Sequence, residues 1–385
     1  MIKVLVFLLY YLFALPVGTL WAREKSGRHR DILFVLTLFS IIWAALAYNL
    51  LPEPEWRGTA RGFAFYITDF LTLILLLSMI GWRNWRFRWL PPGSGYYLLY
   101  FLLCLPSLHN AVFALQWGFE VWKMALMYLF YLACYNYIFN RRELLLLVYT
   151  MIGTLLFMLV VALYQKYIQH LYHIAVTFPH RNSMAMFSII AGSMMFGILL
   201  NEKLDRRQWL LTVAAIGASG MLVIFSYSRG GLIFYGFAMA VTAGATLLVN
   251  GFSMARIRIL TVMAILMTIP LLIALPRIIE RFLYAPESSA ETRVNLAHAA
   301  VRMANDKLLG VGLNNFSDKS GPLYEYNYEH YQEYKNQEAI ADRLGGVVET
   351  IYLLVAAECG WPALAALLLW LGWIWLQNVF NLFAY

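Results

Sequence analysis

Charged residues in the second half of the chain stand where a charge needs an explanation. Arg181 and Arg229 each begin an apolar run, Arg293 lies in a long polar segment, and Glu349 begins the last apolar run. A guanidinium presents a planar fork of donors that matches phosphate oxygens. A carboxylate beside a cleft can act as a general base. These residue types predict a diphosphate site with a candidate base beside it.

The neighbours of two of these arginines admit both a binding and a structural interpretation. Ser228 and the glycines after Arg229 would let backbone approach a ligand closely, whereas Arg229 could simply snorkel at a membrane interface. His180 and Asn182 are candidate ligands of the same anion as Arg181. They also fit an ordinary helix start.

The segment 291–307 has helical periodicity, with Arg293 and Arg302 on its polar side. Considered without its neighbours, Arg293 would be interpreted as a solvated charge. It is predicted, however, to lie on the same side of the membrane as Arg181 and Arg229. Arg302 is therefore a further candidate for substrate binding. Glu349 could instead be a carboxylate favoured by the helix dipole. Glu358 follows roughly 13 Å further along a helix, so it is interpreted as a structural hydrogen-bonding group.

Several cofactor motifs are absent from the sequence. There is no GxxxxGK[ST] loop, no HExxH or His/Cys cluster, and no DxD-type pair on the side of the arginines. The three cysteines lie in apolar segments and are interpreted as core residues. We therefore predict no metal and no cofactor, with arginines taking the place of a metal beside the diphosphate.

Composition identifies the class of protein that must position these residues. The 385 residues are 62% hydrophobic and 13% charged, with a mean hydropathy of +0.64. Apolar runs of about 18 to 25 residues have the length of bilayer-spanning helices. The fold class is therefore an all-α polytopic membrane protein. We predict spans near 2–21, 32–52, 63–81, 96–113, 120–140, 143–165, 183–200, 209–227, 231–249, 259–277 and 349–376.

Basic clusters alternate with these spans and predict the topology. The net charge of +8 comes from short clusters between apolar runs, which indicates membrane orientation and no nucleic-acid partner. Their side is predicted to be cytoplasmic, and the arginine candidates then face the periplasm. The clusters cover residues 23–30, 83–88, 141–142, 203–207 and 256–258.

Three regions follow from this organisation. Residues 1–277 are predicted to form the transmembrane bundle, 278–347 a periplasmic loop or cap with short helices, and 348–385 one or more C-terminal transmembrane helices. The cap contains a run of tyrosines, which could stack on sugars, form a lid or simply pack. These are Tyr324, Tyr326, Tyr328, Tyr331 and Tyr334.

Four passages, in this order, resemble the O-antigen ligase and Wzy-type polymerase superfamily, and the resemblance covers most of residues 180–370. It implies about 11–12 transmembrane helices in a GT-C-like bundle with one large periplasmic loop. The passages are Arg181-Asn182, Ser228-Arg229-Gly230, the run from Arg293 to Leu309-Gly310-Val311-Gly312-Leu313-Asn314-Asn315-Phe316, and the start of the last span.

The family's last motif is usually His, a small polar residue, nine residues, Gly, two residues and a small residue. Glu349, Thr350, Gly360 and Ala363 keep that spacing, so Glu349 occupies the place of the histidine. A glutamate can also accept a proton. His298 and His330 in the loop stay open as alternative bases.

The resemblance implies a metal-independent, inverting glycosyltransferase of the bacterial inner membrane. The donor would be an undecaprenyl diphosphate-linked glycan and the acceptor the lipid A–core oligosaccharide. Arg229 and Arg293, assisted by Arg181, would hold the diphosphate, and Glu349 would act as the base. A Wzy-type polymerase with the same donor and a transporter of lipid-linked glycans are the alternatives, and a structural membrane scaffold is a third.

Overall fold

The chain is built almost entirely from helices that pack into a bundle. The computed structural model describes residues 2–24, 26–81, 87–283, 287–320, 326 and 346–384. Within these residues, six helices are long and apolar enough to cross a membrane. The predicted all-α polytopic membrane fold is confirmed. The six are Leu5–Ala22, Arg141–Tyr167, Arg181–Asn201, Arg206–Ser226, Arg229–Asn250 and Ile351–Asn381.

The helices are numbered here in chain order. Those before the centre of the chain are α1 Ile2–Leu9, α2 Leu15–Ala22, α3 Arg28–Ser40, α4 Ile67–Met79, α5 Ser94–Cys104, α6 Ala114–Tyr137 and α7 Arg141–Tyr167. Those after it are α8 Arg181–Asn201, α9 Arg206–Ser226, α10 Arg229–Asn250, α11 Met254–Leu283, α12 Glu287–Asp306, α13 Phe316–Lys319 and α14 Ile351–Ala384.

Some predicted spans form shorter elements. Helices α3 and α4 have 13 residues each, fewer than the ~20 that cross a bilayer without help. The span predicted at 96–113 is instead the 11-residue helix α5 followed by a 3-10 turn, Leu105–Asn110. This turn ends the helix because its side chains bond to another part of the chain, described below. Between α3 and α4, strands Ala47–Asn49 (β1) and Ala64–Tyr66 (β2) pair antiparallel.

Helices α8, α9 and α10 pack closely through small residues. A side chain at Gly192 of α8 would collide with Ser219 of α9, so the two backbones can approach only because this residue is glycine. The hydroxyl of Tyr235 on α10 lies 2.8 Å from the hydroxyl of Ser219. This shared contact aligns the starts of α8 and α10 at the same end of the bundle.

Several of the basic clusters lie together at one end of the bundle, which we call the basic face. Arg142 pairs with Asp31, and Arg141 lies 3.5 Å from Glu202. Arg256 donates to the carbonyl of Asn250 at 2.7 Å. Loops that are distant in sequence therefore share this end, as the charge pattern predicted. The opposite end, at which α8, α10 and α14 begin, is the cap face.

Candidate active site

Two of the predicted site residues form an ion pair at the cap face. Arg293 Nε lies 2.9 Å from Glu349 Oε2, and the side chains are 51% and 63% exposed. An exposed pair contributes ~1 kcal/mol or less to stability, so a substrate can separate it at little cost. The contact also leaves other guanidinium donors available to an anion. Candidate base and anion ligand are therefore adjacent.

Packing of α12 on α14 holds this pair in place. Leu296, Ala299 and Met303 on the inner side of α12 share a buried cluster with Leu354 and Ala357 of α14. Alanines at the contact let the two helices lie close together. Arg293 then projects from α12 beside the residue that precedes α14. The periodicity predicted for 291–307 is confirmed by helix α12.

A second group forms where α8 and α10 begin. Arg181 and Arg229 are the first residues of these helices and are half-buried. A Cβ at Gly231 would lie 3.1 Å from Ala185, so the two helix starts are in contact. Helix N-termini carry partial positive charge and favour anions. Two such ends, each with an arginine, form a cationic surface.

The polar neighbours of these arginines cap the helices. His180 Nδ1 accepts from the backbone N–H of Asn182 at 3.1 Å. Ser228 Oγ accepts from the backbone N–H of Gly231 at 3.2 Å. Both residues therefore have the structural role that the sequence left open, and they orient the arginines that follow them. Direct binding of substrate by His180, Asn182 and Ser228 stays a prediction.

Lys166, Tyr227 and His173 complete this group and were not singled out from the sequence. Lys166 at the end of α7 donates to the Tyr227 hydroxyl at 3.2 Å, and its ammonium lies 4.1 Å from the centre of the Phe225 ring. Arg181 Nη1 donates to His173 Nδ1 at 2.6 Å. Lys166 could have been identified from the sequence, because it is a single basic residue on the side of the membrane opposite the basic clusters.

The two groups lie on one face of the bundle. Helix α10 contacts α14, and both helices begin at the cap face, α10 with Arg229 and α14 just after Glu349. Arg229 and Glu349 therefore stand at the starts of two helices that contact each other. Binding of one ligand by both groups stays a prediction.

The Leu-Gly-Val-Gly passage is a structural junction against a kink in α14. The backbone N–H of Val311 donates to the carbonyl of Ala357 at 2.8 Å, and that of Gly312 donates to the carbonyl of Glu358 at 3.0 Å. The Glu358 carboxylate accepts from the N–H of Phe316 at 3.2 Å. Glu358 therefore has the structural role interpreted from the sequence. At Gly360, φ is +84°, which breaks the regular helix.

The two asparagines that follow tie this junction to the first half of the chain. Asn314 donates to the carbonyls of Ala60 and Gln116, each at 2.8 Å. Asn315 Oδ1 accepts from the N–H of Phe113 at 2.9 Å. Both side chains are fully buried. The passage that carries the resemblance thus joins α14 to the loops at the cap face.

Gly360→Ala is expected to destabilise this junction strongly. A Cβ at residue 360 would overlap the carbonyl of Leu308, and the positive φ is unfavourable for alanine. The expected loss is roughly 1–3 kcal/mol or more, because strain and overlap add. Thermal unfolding of the purified protein measures it. Gly372→Ala is the matched control because it lies in the same helix, and a Cβ at residue 372 would meet no other atom within 4 Å; equal stability of the two variants would contradict the prediction.

The remaining candidates either lie away from the Arg293–Glu349 pair or fall outside the described residues. Arg302 Nη2 donates to the carbonyl of Tyr326 at 3.3 Å, which joins α12 to a later part of the cap. His298 is exposed and lies five residues after Arg293, roughly 140° around the helix, so it points elsewhere. His330 lies outside the described residues, as do Tyr324, Tyr328, Tyr331 and Tyr334.

The described residues contain no cluster of metal-ligating side chains. No group of three or more His, Cys, Asp or Glu residues that could hold a metal ion occurs in that part of the chain.

In the described part of the chain, six membrane-length helices and an arginine-bearing cap face define a class: a multi-pass α-helical membrane protein with a polar surface at one end. A family model described as O-antigen ligase matches residues 214–368. This segment, from α9 to α14, is therefore similar to the O-antigen ligase family, and the predicted resemblance is confirmed. The match includes Arg229, Arg293 and Glu349. No curated protein matched the chain.

Proposed function

We propose that this protein is an O-antigen ligase. It would transfer a glycan from undecaprenyl diphosphate to lipid A–core oligosaccharide at the periplasmic face of the bacterial inner membrane. The observation that carries the proposal is the 2.9 Å contact between Arg293 and Glu349. This contact supports the proposal because a carboxylate that could accept a proton lies beside a guanidinium that could bind a diphosphate. Arg181 and Arg229 begin helices at the same cap face.

The arginines would bind the donor. Arg229 and Arg293 hold the diphosphate, and Arg181 assists from the start of α8. Negative charge grows on the diphosphate as the bond to the sugar breaks, and prepositioned guanidinium donors stabilise that charge. Because such donors supply positive charge themselves, the reaction needs no metal ion.

Glu349 would activate the acceptor. Its carboxylate takes the proton of an acceptor hydroxyl, and the hydroxyl oxygen forms a bond to the anomeric carbon. The bond from that carbon to the diphosphate oxygen breaks, and its electron pair leaves with undecaprenyl diphosphate. Attack opposite the leaving group inverts the anomeric centre. The proton on Glu349 then passes to water.

The same donor chemistry serves a polymerase, whose acceptor is the end of another lipid-linked repeat. The family match covers both activities. We favour the ligase because the family model that matches residues 214–368 is described as O-antigen ligase. The identity of the acceptor distinguishes the two activities. A transporter would bind the same donor and form no product.

Purified protein in liposomes, with lipid-linked glycan and lipid A–core but no energy source, is expected to transfer glycan. Each turnover should add one donor glycan to lipid A–core and release one undecaprenyl diphosphate. Mass spectrometry of the product measures this, and chelation of divalent metals should leave the rate unchanged.

The alternatives give different products in the same assay. Lengthened lipid-linked glycan with unmodified lipid A–core would identify a polymerase. Movement of donor across the bilayer without any new glycosidic bond would identify a transporter and contradict the proposal.

A further inference from the structure

A cleft separate from the arginine groups lies beside the structural junction, where Asn314 contacts two of its lining residues. It has a volume of about 630 Å³ and is lined by α4, α6 and the β1–β2 hairpin. Its rim includes Asn49, Thr59, Arg61 and Lys123. None of these residues belongs to the arginine groups described above.

The rim of the cleft is polar and carries cations. The Arg61 side chain is exposed. Lys123 lies 3.4 Å from Glu120, which also accepts from the Thr59 hydroxyl at 2.9 Å. Guanidinium and ammonium groups favour phosphate, whereas amide and hydroxyl groups match sugar hydroxyls. The rim therefore suits a headgroup that is both anionic and rich in hydroxyls.

The wall of the cleft is apolar and follows α6. Phe119, Leu126, Met127 and Phe130 line it, and they extend over about 16 Å of helix. That length is roughly half of a ~30 Å hydrocarbon core, which is the depth of one leaflet. Met127 is 59% exposed, so the wall continues to the outer surface of the bundle. A lipid chain from the leaflet at the cap face fits this wall.

Two polar atoms of lining residues lack partners. Asn49 Oδ1 and Trp122 Nε1 are buried and have no hydrogen-bond partner in the described part of the chain. Burying such groups without a partner costs free energy. A hydroxyl-rich ligand that enters the cleft can supply these bonds after a small shift of the side chains.

The cleft is connected to the junction through one asparagine. Asn314 Oδ1 accepts from the N–H of Ala60 at 3.2 Å and lies 3.2 Å from the Thr59 hydroxyl. Both residues line the cleft. Val311 and Gly312, which precede Asn314, donate backbone hydrogen bonds to α14. A ligand in the cleft would therefore contact the element that positions α14.

We propose that this cleft binds the acceptor, an anionic glycolipid of the leaflet at the cap face. Its phosphate and sugar groups lie at the rim near Arg61 and Lys123, and its hydrocarbon chains lie along α6. The donor diphosphate lies at the separate arginine groups. The assignment of this glycolipid as acceptor rests on the proposed function.

Two substitutions test the cleft by different means. Arg61→Glu reverses a charge at the rim, and Ala47→Trp fills the mouth from an exposed strand position that tolerates aromatic residues. Each is expected to weaken binding of lipid A–core to the full-length protein by about tenfold or more. Native mass spectrometry in lipid nanodiscs measures this affinity. Lys307→Glu is the control because it makes the same charge change on an exposed residue outside the cleft.

Binding of undecaprenyl diphosphate should stay unchanged in both variants. In the transfer assay, the KM for the acceptor should rise while the KM for the donor stays constant. Unchanged lipid A–core affinity in both variants would overturn the proposal, as would equal displacement of lipid A–core by phosphatidylglycerol. If the unmodified protein binds lipid A–core through Arg61 and transfers nothing, the proposed function fails while the glycolipid cleft stands.

Discussion

Replacing Arg229 with alanine is expected to abolish glycan transfer while the protein still folds and inserts. Arg229 is the first residue of α10 and is half-buried, so its charge acts close to the helix terminus with limited screening by water. Loss of one prepositioned donor to a developing oxyanion costs about 10²–10³-fold in rate. We therefore expect the single-turnover rate in liposomes to fall by at least that factor.

Related substitutions distinguish loss of the planar guanidinium geometry from loss of the positive charge. Arg229→Lys keeps the charge and removes the planar fork, so it should retain a small part of the activity. Arg181→Ala should cost less than Arg229→Ala, because Arg181 is assigned an assisting role. Arg258→Ala removes an exposed arginine at the start of α11, on the basic face, and serves as the control.

Thermal unfolding and membrane extraction establish that each variant is folded. Near-normal transfer by both Arg229→Ala and Arg293→Ala would contradict the proposed donor site. Silent arginine substitutions throughout would instead favour a scaffold.

Much of the bundle could be predicted because bilayer-spanning helices leave a strong pattern. A helix such as Arg206–Ser226 is mostly apolar after its first turn and begins after an acidic N-cap, Asp205, which accepts from the backbone N–H of Gln208. The basic clusters predicted which loops share an end, and the contact of Arg141 with Glu202 agrees. These signals are local in sequence, so no tertiary information was needed.

The short elements could not be predicted, because long-range bonds determine them. The apolar run at 96–113 resembles a span, yet Asn110 donates to the carbonyl of Gly310 at 2.8 Å. Ser107 Oγ accepts from the N–H of Leu313 at 3.1 Å. A partner some 200 residues away in the chain thus ends the helix. The small sheet likewise depends on pairing of β1 with β2, which hydropathy does not show.

The candidate site was predicted in part for similar reasons. Arg181 and Arg229 are conspicuous because each begins an apolar run, and Arg293 is a candidate because the topology predicts it on the same side of the membrane. His173 and Tyr227 were not, because histidine and tyrosine are common at membrane interfaces and only the contacts with Arg181 and Lys166 distinguish them. The pairing of Arg293 with Glu349 requires the packing of α12 on α14.

Glu349→Gln is expected to lose most transfer activity. Glutamine keeps the size and a hydrogen-bond acceptor for Arg293, but it cannot accept a proton from the acceptor hydroxyl. General-base catalysis typically contributes 10²–10⁴-fold, so the turnover rate should fall by roughly that factor. Binding of the donor should change little. Full activity of the glutamine variant would move the base elsewhere, with His330 the next candidate.

Glu349→His should retain part of the activity, because a neutral imidazole has one unprotonated nitrogen that can accept the proton of the acceptor hydroxyl. Its rate should fall as the pH drops below about 6.5, where a free imidazole becomes protonated and can no longer act as a base. A purely structural role for Glu349 predicts a different pattern. The histidine and glutamine variants would then be equally impaired at every pH, and added formate would not restore transfer to Glu349→Ala. Partial rescue by formate, which supplies a carboxylate in the space left by the side chain, supports the assignment of Glu349 as the base.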